Sequence, residues 1–224
     1  MVVKLSTLLD KLKNVWELAL LTIFPDNCIG CQAPDTAFCE KCISKIERPE
    51  REVRGVFVCY SYRDPIIRKA IWFLKYKNRR TLALPLSIMI ADFALEELSD
   101  LELFGDQSQV LVSAVPQSRK RTRKRGYNQS ELLAMGVAEK TSLKFEANLL
   151  GKVRETERQV EMKDRRARLE NLKNAFQARK PELIKGKTVI VIDDVVTTGA
   201  TLSEARRALK AAGAKRVIAC ALAH

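Results

Sequence analysis

The sequence predicts an α/β domain, a mostly parallel sheet flanked by helices, preceded by a small cysteine-rich module. Three observations carry that expectation. Residues 187–192 (KTVIVI) read as a strand, 201–212 as a helix and 215–222 (KRVIACAL) as a second strand. A strand, helix, strand succession joins parallel strands through a crossover. The first of these strands is nearly all β-branched, as a strand covered on both faces should be. Finally, four cysteines fall in two C-x2-C pairs, at Cys28 and Cys31 and at Cys39 and Cys42.

The elements follow in order. Leu5, Leu8, Leu9, Leu12, Val15, Trp16 and Leu20 recur at helical spacing, with Lys4, Asp10, Lys11, Lys13 and Glu17 between them. This predicts an amphipathic helix over residues 1–25, ending at Phe24-Pro25. It is too interrupted for an export signal or a membrane span. It would dock on its own protein or on a partner, with peripheral membrane contact as the other option. The cysteine module spans 26–46. A charged linker with Pro49 leads to the main domain, expected over 50–224. Within it, 56–62 (VFVCYSY) reads as a strand. Residues 66–75 read as a helix with Ile67, Ala70, Ile71 and Leu74 on one face, and 84–98 as a longer helix. Residues 109–115 (QVLVSAV) form a short apolar strand. A basic loop at 119–125 precedes a helix over 129–140. Phe145 and residues 147–149 suggest another short strand, and 154–168 is a charge-dense helix or loop.

Lys and Arg number 40 against 27 for Asp and Glu, a net charge of +13, and 46% of the 224 residues are apolar. The apolar share supports a buried core and excludes wholesale disorder. The charge favours polyanionic partners: phosphorylated ligands, nucleic acid or an acidic lipid surface. A basic protein of no special partner is the plainer alternative. With no export signal, the compartment is expected to be the reducing cytoplasm, where six cysteines argue for metal or free thiols over disulfides. Two C-x2-C knuckles bring four thiolates to one tetrahedral ion. Zn²⁺ suits four sulfurs, and its ligation supplies the folding energy so short a segment lacks; two disulfides or an iron–sulfur cluster are the alternatives. A closed four-sulfur site is structural. Cys59 and Cys220 lie in predicted strands and read as small core residues.

Asp193 and Asp194 end the strand that starts at Lys187. Val195, Val196, Thr197, Thr198, Gly199, Ala200 and Thr201 lead from them into a helix. In open α/β sheets ligands bind beyond the C-terminal strand ends. A helix N-terminus offers unpaired N–H groups to an anion, and glycine lets backbone approach a phosphate closely. The acidic pair would repel phosphate, so it must hold something else: sugar hydroxyls or a divalent cation. The alternative is a solvated strand end with a threonine cap.

These residues resemble the phosphoribosyl pyrophosphate motif of type I phosphoribosyltransferases: apolar strand, two acids, two apolar residues, then T-T-G-x-T. The resemblance implies that Thr197, Thr198, Gly199, Ala200 and Thr201 bind the 5-phosphate. It implies that Asp193 and Asp194 bind the ribose hydroxyls, with Mg²⁺ on the pyrophosphate. The four-cysteine module narrows the resemblance to the ComF family of competence proteins. Tyr60 and Tyr62, then Phe73-Leu74-Lys75-Tyr76, are similar to that family's segment after its zinc module. Arg121-x3-Arg125-Gly126-Tyr127-Asn128-Gln129 is similar to its R-x3-R-G-F-N-Q signature. Arg154, Thr156, Gln159, Arg168, Asn171 and Ala175-Phe176 resemble its later pattern. Where the family usually reads V-P-x-P-L, this chain has Ser113-Ala114-Val115-Pro116-Gln117. That region is the pyrophosphate loop of the type I fold, here Val115, Pro116, Gln117 and Ser118.

Arg119, Lys120, Arg121, Arg123, Lys124 and Arg125 form a dense basic run. Cations closing over departing pyrophosphate would stabilise its charge. Arg121 and Arg125 are the candidates, with Lys75 beside them. The same run, near Tyr60, Tyr62, Tyr76 and Tyr127, could instead follow a nucleic-acid strand. A single histidine, the terminal His224, leaves no nucleophile–base pair to build. Two functions result. The resemblance implies a zinc-bearing, phosphoribosyl pyrophosphate-binding protein that handles single-stranded DNA in natural transformation, alongside DNA-processing proteins. The alternative is an active phosphoribosyltransferase acting on an acceptor base in salvage or modification.

Overall fold

The computed structural model describes residues 26–49, 53, 55–98, 107–153, 172 and 174–224. The N-terminal helix expected over 1–25 lies outside them, as do Arg154, Thr156, Gln159, Arg168 and Asn171 of the family pattern. The chain divides into two compact units between Lys45 and Ile46.

In the first unit the chain doubles back on itself through backbone hydrogen bonds. Cys28 N–H donates to Ala33 O, Ile29 N–H to Ala37 O and Thr36 N–H to Asp26 O. A single helical turn, α1 (Glu40–Ile43), starts directly after Cys39 and carries Cys42. Ile29 and Phe38 supply the small apolar interior.

The second unit is built on a five-stranded parallel sheet. Its strands are β1 (Phe57–Tyr60), β2 (Val110–Ala114), β3 (Lys144–Phe145), β6 (Thr188–Val195) and β7 (Arg216–Ala223). They lie in the order β1-β7-β6-β2-β3. Strand β6 is central, in register with β2 through Ile190 against Val112 and with β7 through Ile190 against Ile218. Val189, Val191 and Ile192 are wholly buried, which is why this strand shows no polar alternation. A separate antiparallel pair joins β4 (Leu150–Lys152) to β5 (Phe176–Ala178).

The helices of this unit are α2 (Pro65–Tyr76), α3 (Ala83–Leu98), α4 (Arg119–Arg125), α5 (Gln129–Thr141), α6 (Pro181–Ile184) and α7 (Ala200–Ala211), and α3, α5 and α7 are the ones that pack on its strands. Helix α2 begins at Asp64, whose carboxylate accepts from the N–H groups of Ile66 and Ile67; such a cap is worth about 1 kcal/mol. Pro65 follows at the first helical position, where its missing N–H costs nothing. Ile67, Ala70, Ile71 and Leu74 face inward, as their spacing predicts. Helices α3 and α5 pack closely because Gly136 faces Ser87; a Cβ there would overlap the serine hydroxyl. Glu204 on α7 accepts from Phe176 N–H and from the Arg207 guanidinium, fastening the β4–β5 pair to α7.

The structure corrects several expectations. The basic segment 119–125 is a two-turn helix rather than a loop. Ser118 caps it by accepting from Arg121 N–H, and Gly126 ends it in the left-handed conformation. The strand expected around 147–149 is instead two short strands, β3 and β4, flanking that segment. Strand β5 and helix α6 went unpredicted, being too short for any periodicity to register. Strand β6 runs on through both aspartates to Val195, because Asp193 and Val195 stay in register with Ala221 and Ala223 of β7.

Candidate functional site

The four-cysteine module brings its sulfurs together. Cys28, Cys31, Cys39 and Cys42 place their Sγ atoms within 4.8 Å of one another. Cys28 and Cys39 are 3.5 Å apart, Cys31 and Cys39 3.6 Å. A tetrahedron of Zn–S bonds about 2.3 Å long has edges only slightly longer. Cys39 N–H points at the Cys28 sulfur, 3.4 Å away. Burial opposes ionisation of Cys28, yet the N–H groups of Cys39, Cys31 and Gly30, with the Cys39 thiol, outweigh it and lower the thiol to about 6. A thiolate surrounded by backbone donors is the form a metal requires. The donor set therefore fits one soft or borderline ion with no position left over.

In the second unit, the end of β6, the loop after it and the start of α7 surround a small open hollow. Asp193, Val196, Thr197, Thr198, Gly199, Ala200 and Thr201 line it. Gly199 is the residue before α7 and adopts φ +77°, a conformation that costs other residues about 1–2 kcal/mol. The turn lets the chain reverse into the helix, and Ala200, Thr201 and Leu202 of the first turn of α7 line the hollow. Thr198 Oγ1 lies 3.4 Å from Ala200 N, and Ser203 N–H donates to Gly199 O at 2.8 Å. The loop is anchored on its other side. Val196 N–H donates to Ala223 O, and the His224 ring stands 3.1 Å from Val196 O.

Both aspartates are buried. Asp193 Oδ1 accepts from Ser130 Oγ at 3.0 Å and from Asp194 N–H at 2.9 Å. Asp194 Oδ1 pairs with Lys75 Nζ at 2.8 Å. Burial pushes the Asp193 carboxyl up to about 7, and the neighbouring Asp194 carboxylate adds to the rise. The Lys75 ammonium, Asp194 N–H and Ser130 hydroxyl offset it only in part. Among the described residues, Asp194 Oδ2 is buried with no partner. A buried acceptor without a donor is costly, about 1–3 kcal/mol. A ribose hydroxyl or a divalent cation would supply what it lacks, so the residues fit Mg²⁺ chemistry.

The loop after β2 approaches the same end of the sheet. Val115 N–H extends the pairing with β6 by donating to Ile192 O. Its carbonyl accepts from the Asn128 amide at 3.0 Å. Gln117 donates to Gln129 Oε1 at 2.8 Å, and Arg125 donates to the same oxygen at 2.7 Å. Tyr127 donates a short hydrogen bond from its hydroxyl to Leu74 O on α2. The R-x3-R-G-Y-N-Q signature thus works largely as a brace. Asn128 caps α5 through Ser130 N–H and holds the loop; Gln129 ties the loop to α4; Tyr127 ties α4's end to α2.

The structure therefore gathers Lys75, Asp193, Asp194 and Thr197 to Thr201 around one strand end. Arg125 is engaged with Gln129, while Arg121 is exposed on α4. Two contributors escaped the sequence reading. Ser130 sits one place past the signature, and only its distance to Asp193 reveals it. His224 has no sequence signal beyond being the single, terminal histidine, yet its carbonyl accepts from Tyr62 N–H at 2.8 Å and its N–H donates to Tyr60 O at 3.1 Å.

Residues 128–224 match the phosphoribosyl transferase domain family. The chain is 31% identical over 190 residues to the DNA utilization protein YhgH of Escherichia coli (strain K12), covering 85% of this chain and 80% of that protein. It is 28% identical over 216 residues to Competence protein F of Haemophilus influenzae, covering 88% and 90%. Among solved structures, the allosteric regulatory enzyme of purine biosynthesis aligns with 62% of this chain and 26% of its own. That alignment has 22% identity and a TM-score of 0.37.

Proposed function

Because the chain belongs to the ComF family of proteins with a phosphoribosyltransferase domain, we propose that it binds phosphoribosyl pyrophosphate with Mg²⁺ and handles single-stranded DNA in DNA uptake and use. The first half of this reading rests on one observation above the others. Asp194 Oδ2, buried with no hydrogen-bond partner among the described residues, belongs to the same strand end as Asp193, which lines the hollow together with the threonine-rich turn and the start of α7. Anion donors next to a carboxylate pair suit a ligand that is phosphate at one end and polyol at the other.

In this reading the N–H groups of the Thr197–Thr201 turn and its hydroxyls bind the 5-phosphate. Asp193 and Asp194 receive the ribose hydroxyls, and Mg²⁺ neutralises the pyrophosphate. The backbone of Val115, Pro116, Gln117 and Ser118 faces the pyrophosphate, with Arg121 and Arg125 as nearby cations. Lys75 yields Asp194 to the sugar when the ligand enters. The four cysteines hold structural zinc. The DNA half draws on the names of the relatives and on charge. No acidic residue occurs from Pro65 to Ala91 or from Gln107 to Ser130, while each stretch carries six basic ones. The protein would work in the cytoplasm, where incoming strands meet DNA-processing proteins.

Calorimetric titration tests the ligand. Phosphoribosyl pyrophosphate should bind wild type with Mg²⁺ and bind the Thr198→Val/Thr201→Val variant at least about tenfold more weakly, each lost charge-assisted hydrogen bond being worth about 1.5–3 kcal/mol. Equal binding by the two would remove the loop from the site. Fluorescence anisotropy of a labelled oligonucleotide across salt concentrations tests DNA binding. A steep slope of log affinity against log salt is expected, and no binding at low salt would refute the DNA role. Pyrophosphate release across a panel of bases separates transfer from binding.

A further inference from the structure

Helix α2 has two working faces. One carries Lys75 to Asp194 at the end of β6. The other leaves large aromatic rings in solvent, where an ordinary surface helix would place polar residues. Trp72 is 44% exposed and Tyr76 63%. They are one helical turn apart, with ring centroids 6.2 Å from each other.

Cations flank both rings. Lys77 Nζ lies 5.2 Å from the Trp72 ring centre. The Arg125 guanidinium, from α4, lies 5.0 Å from the Tyr76 ring. Arg125 is also the residue that bonds Gln129, the partner of Gln117. The aromatic face of α2, the basic face of α4 and the loop beside the pocket are therefore one connected surface. Arg123 and Lys124 of α4 are exposed, and neither helix carries an acidic side chain.

We propose that Trp72 and Tyr76 form the base-stacking platform of this protein's single-stranded DNA site, with Lys77, Arg123, Lys124 and Arg125 along the phosphate track. This rests on the DNA-handling reading and says where the strand lies. The chemistry selects the partner. Exposed rings need bases already unstacked, which single strands offer and duplexes do not. Interleaved cations meet the phosphates between successive bases. An acidic protein would satisfy the cations but leave the paired rings without a flat counterpart. Through Gln129, Arg125 connects this face to Gln117 in the loop after β2.

Anisotropy with a labelled oligothymidine tests the proposal in the full-length zinc-bound protein. Trp72→Ala/Tyr76→Ala should weaken binding at least about tenfold, since stacking is worth about 1–3 kcal/mol per base. Its salt slope should stay that of wild type, because no cation is lost. Trp72→Phe should retain most of the affinity by keeping a ring. Neutralising Lys77, Arg123 and Lys124 should flatten the slope instead. In a Trp16→Phe background Trp72 is the sole tryptophan, and its fluorescence should be quenched on binding. Both rings project into solvent, so circular dichroism and phosphoribosyl pyrophosphate binding should match wild type. If wild type binds and the double variant binds equally well, the platform is overturned while the DNA reading stands. Loss in Trp72→Phe as deep as in the alanine variant would overturn stacking as its basis. If wild type binds no DNA at all, the DNA reading fails and the platform with it.

Discussion

Replacing Asp193 with asparagine should make the ligand-free protein more stable while disabling its pocket. The wild-type carboxyl moves from an ordinary 3.8 to about 7 on folding, chiefly through burial and then through the Asp194 carboxylate. Between those values the folded state holds a proton that the unfolded state has released. Stability contributed by this group is therefore fully present below pH 3.8 and is lost as pH rises through about 7. At about 1.4 kcal/mol per pH unit, the gap amounts to about 4 kcal/mol at most. The asparagine would keep the geometry, because its amide oxygen can accept from Ser130 Oγ and Asp194 N–H as Asp193 Oδ1 does. It would not carry the buried charge. Thermal unfolding of Asp193→Asn and wild type should coincide near pH 4 and separate progressively up to pH 8. Half the ceiling, about 2 kcal/mol, corresponds to a rise of about 4–8 °C for a unit of this size. Saturating phosphoribosyl pyrophosphate with Mg²⁺ should stabilise wild type but not the variant. A gap that stays constant from pH 4 to 8, or a variant less stable than wild type at pH 8, would refute the reasoning. Such a gain fits a general pattern in which binding groups are held at the expense of stability.

Three further outcomes are expected. Gly199→Ala should destabilise the domain by about 1–2 kcal/mol in urea unfolding, the cost of the left-handed conformation. Its new Cβ would also lie 3.3 Å from Val53 Cγ1, and phosphoribosyl pyrophosphate affinity should fall with it. Elemental analysis should find about one zinc per chain, by four-thiolate stoichiometry. Chelation, or Cys31→Ser, should expose the cysteine unit to protease while the second unit, with its own apolar core, resists.

Among the described residues no helix is long and apolar enough to cross a membrane. The basic run at 119–125 shows why some local structure was not legible in the sequence. Six cations in seven residues repel one another as an isolated helix. They form α4 because Ser118 caps its start and Gly126 its end, while Arg125 finds Gln129. By contrast, α2 was legible because its cap, its proline and its apolar stripe all lie within its own residues.

The sequence alone determined what depends on near neighbours. Four cysteines at knuckle spacing, a strand covered on both faces, and a glycine turn into a helix each need only a few consecutive residues. Their geometry follows from chain stereochemistry. Tertiary structure decided the electrostatic state of the acidic pair. Lys75 reaches Asp194 from 119 residues away and Ser130 reaches Asp193 from 63, and burial by the sheet's neighbours raises the Asp193 carboxyl. It also decided that Tyr127 is a buried brace, whereas Trp72 and Tyr76 stand in solvent. Periodicity places a ring on a helix face, but only the packing of α4 and the loop beside it settles whether that face is covered.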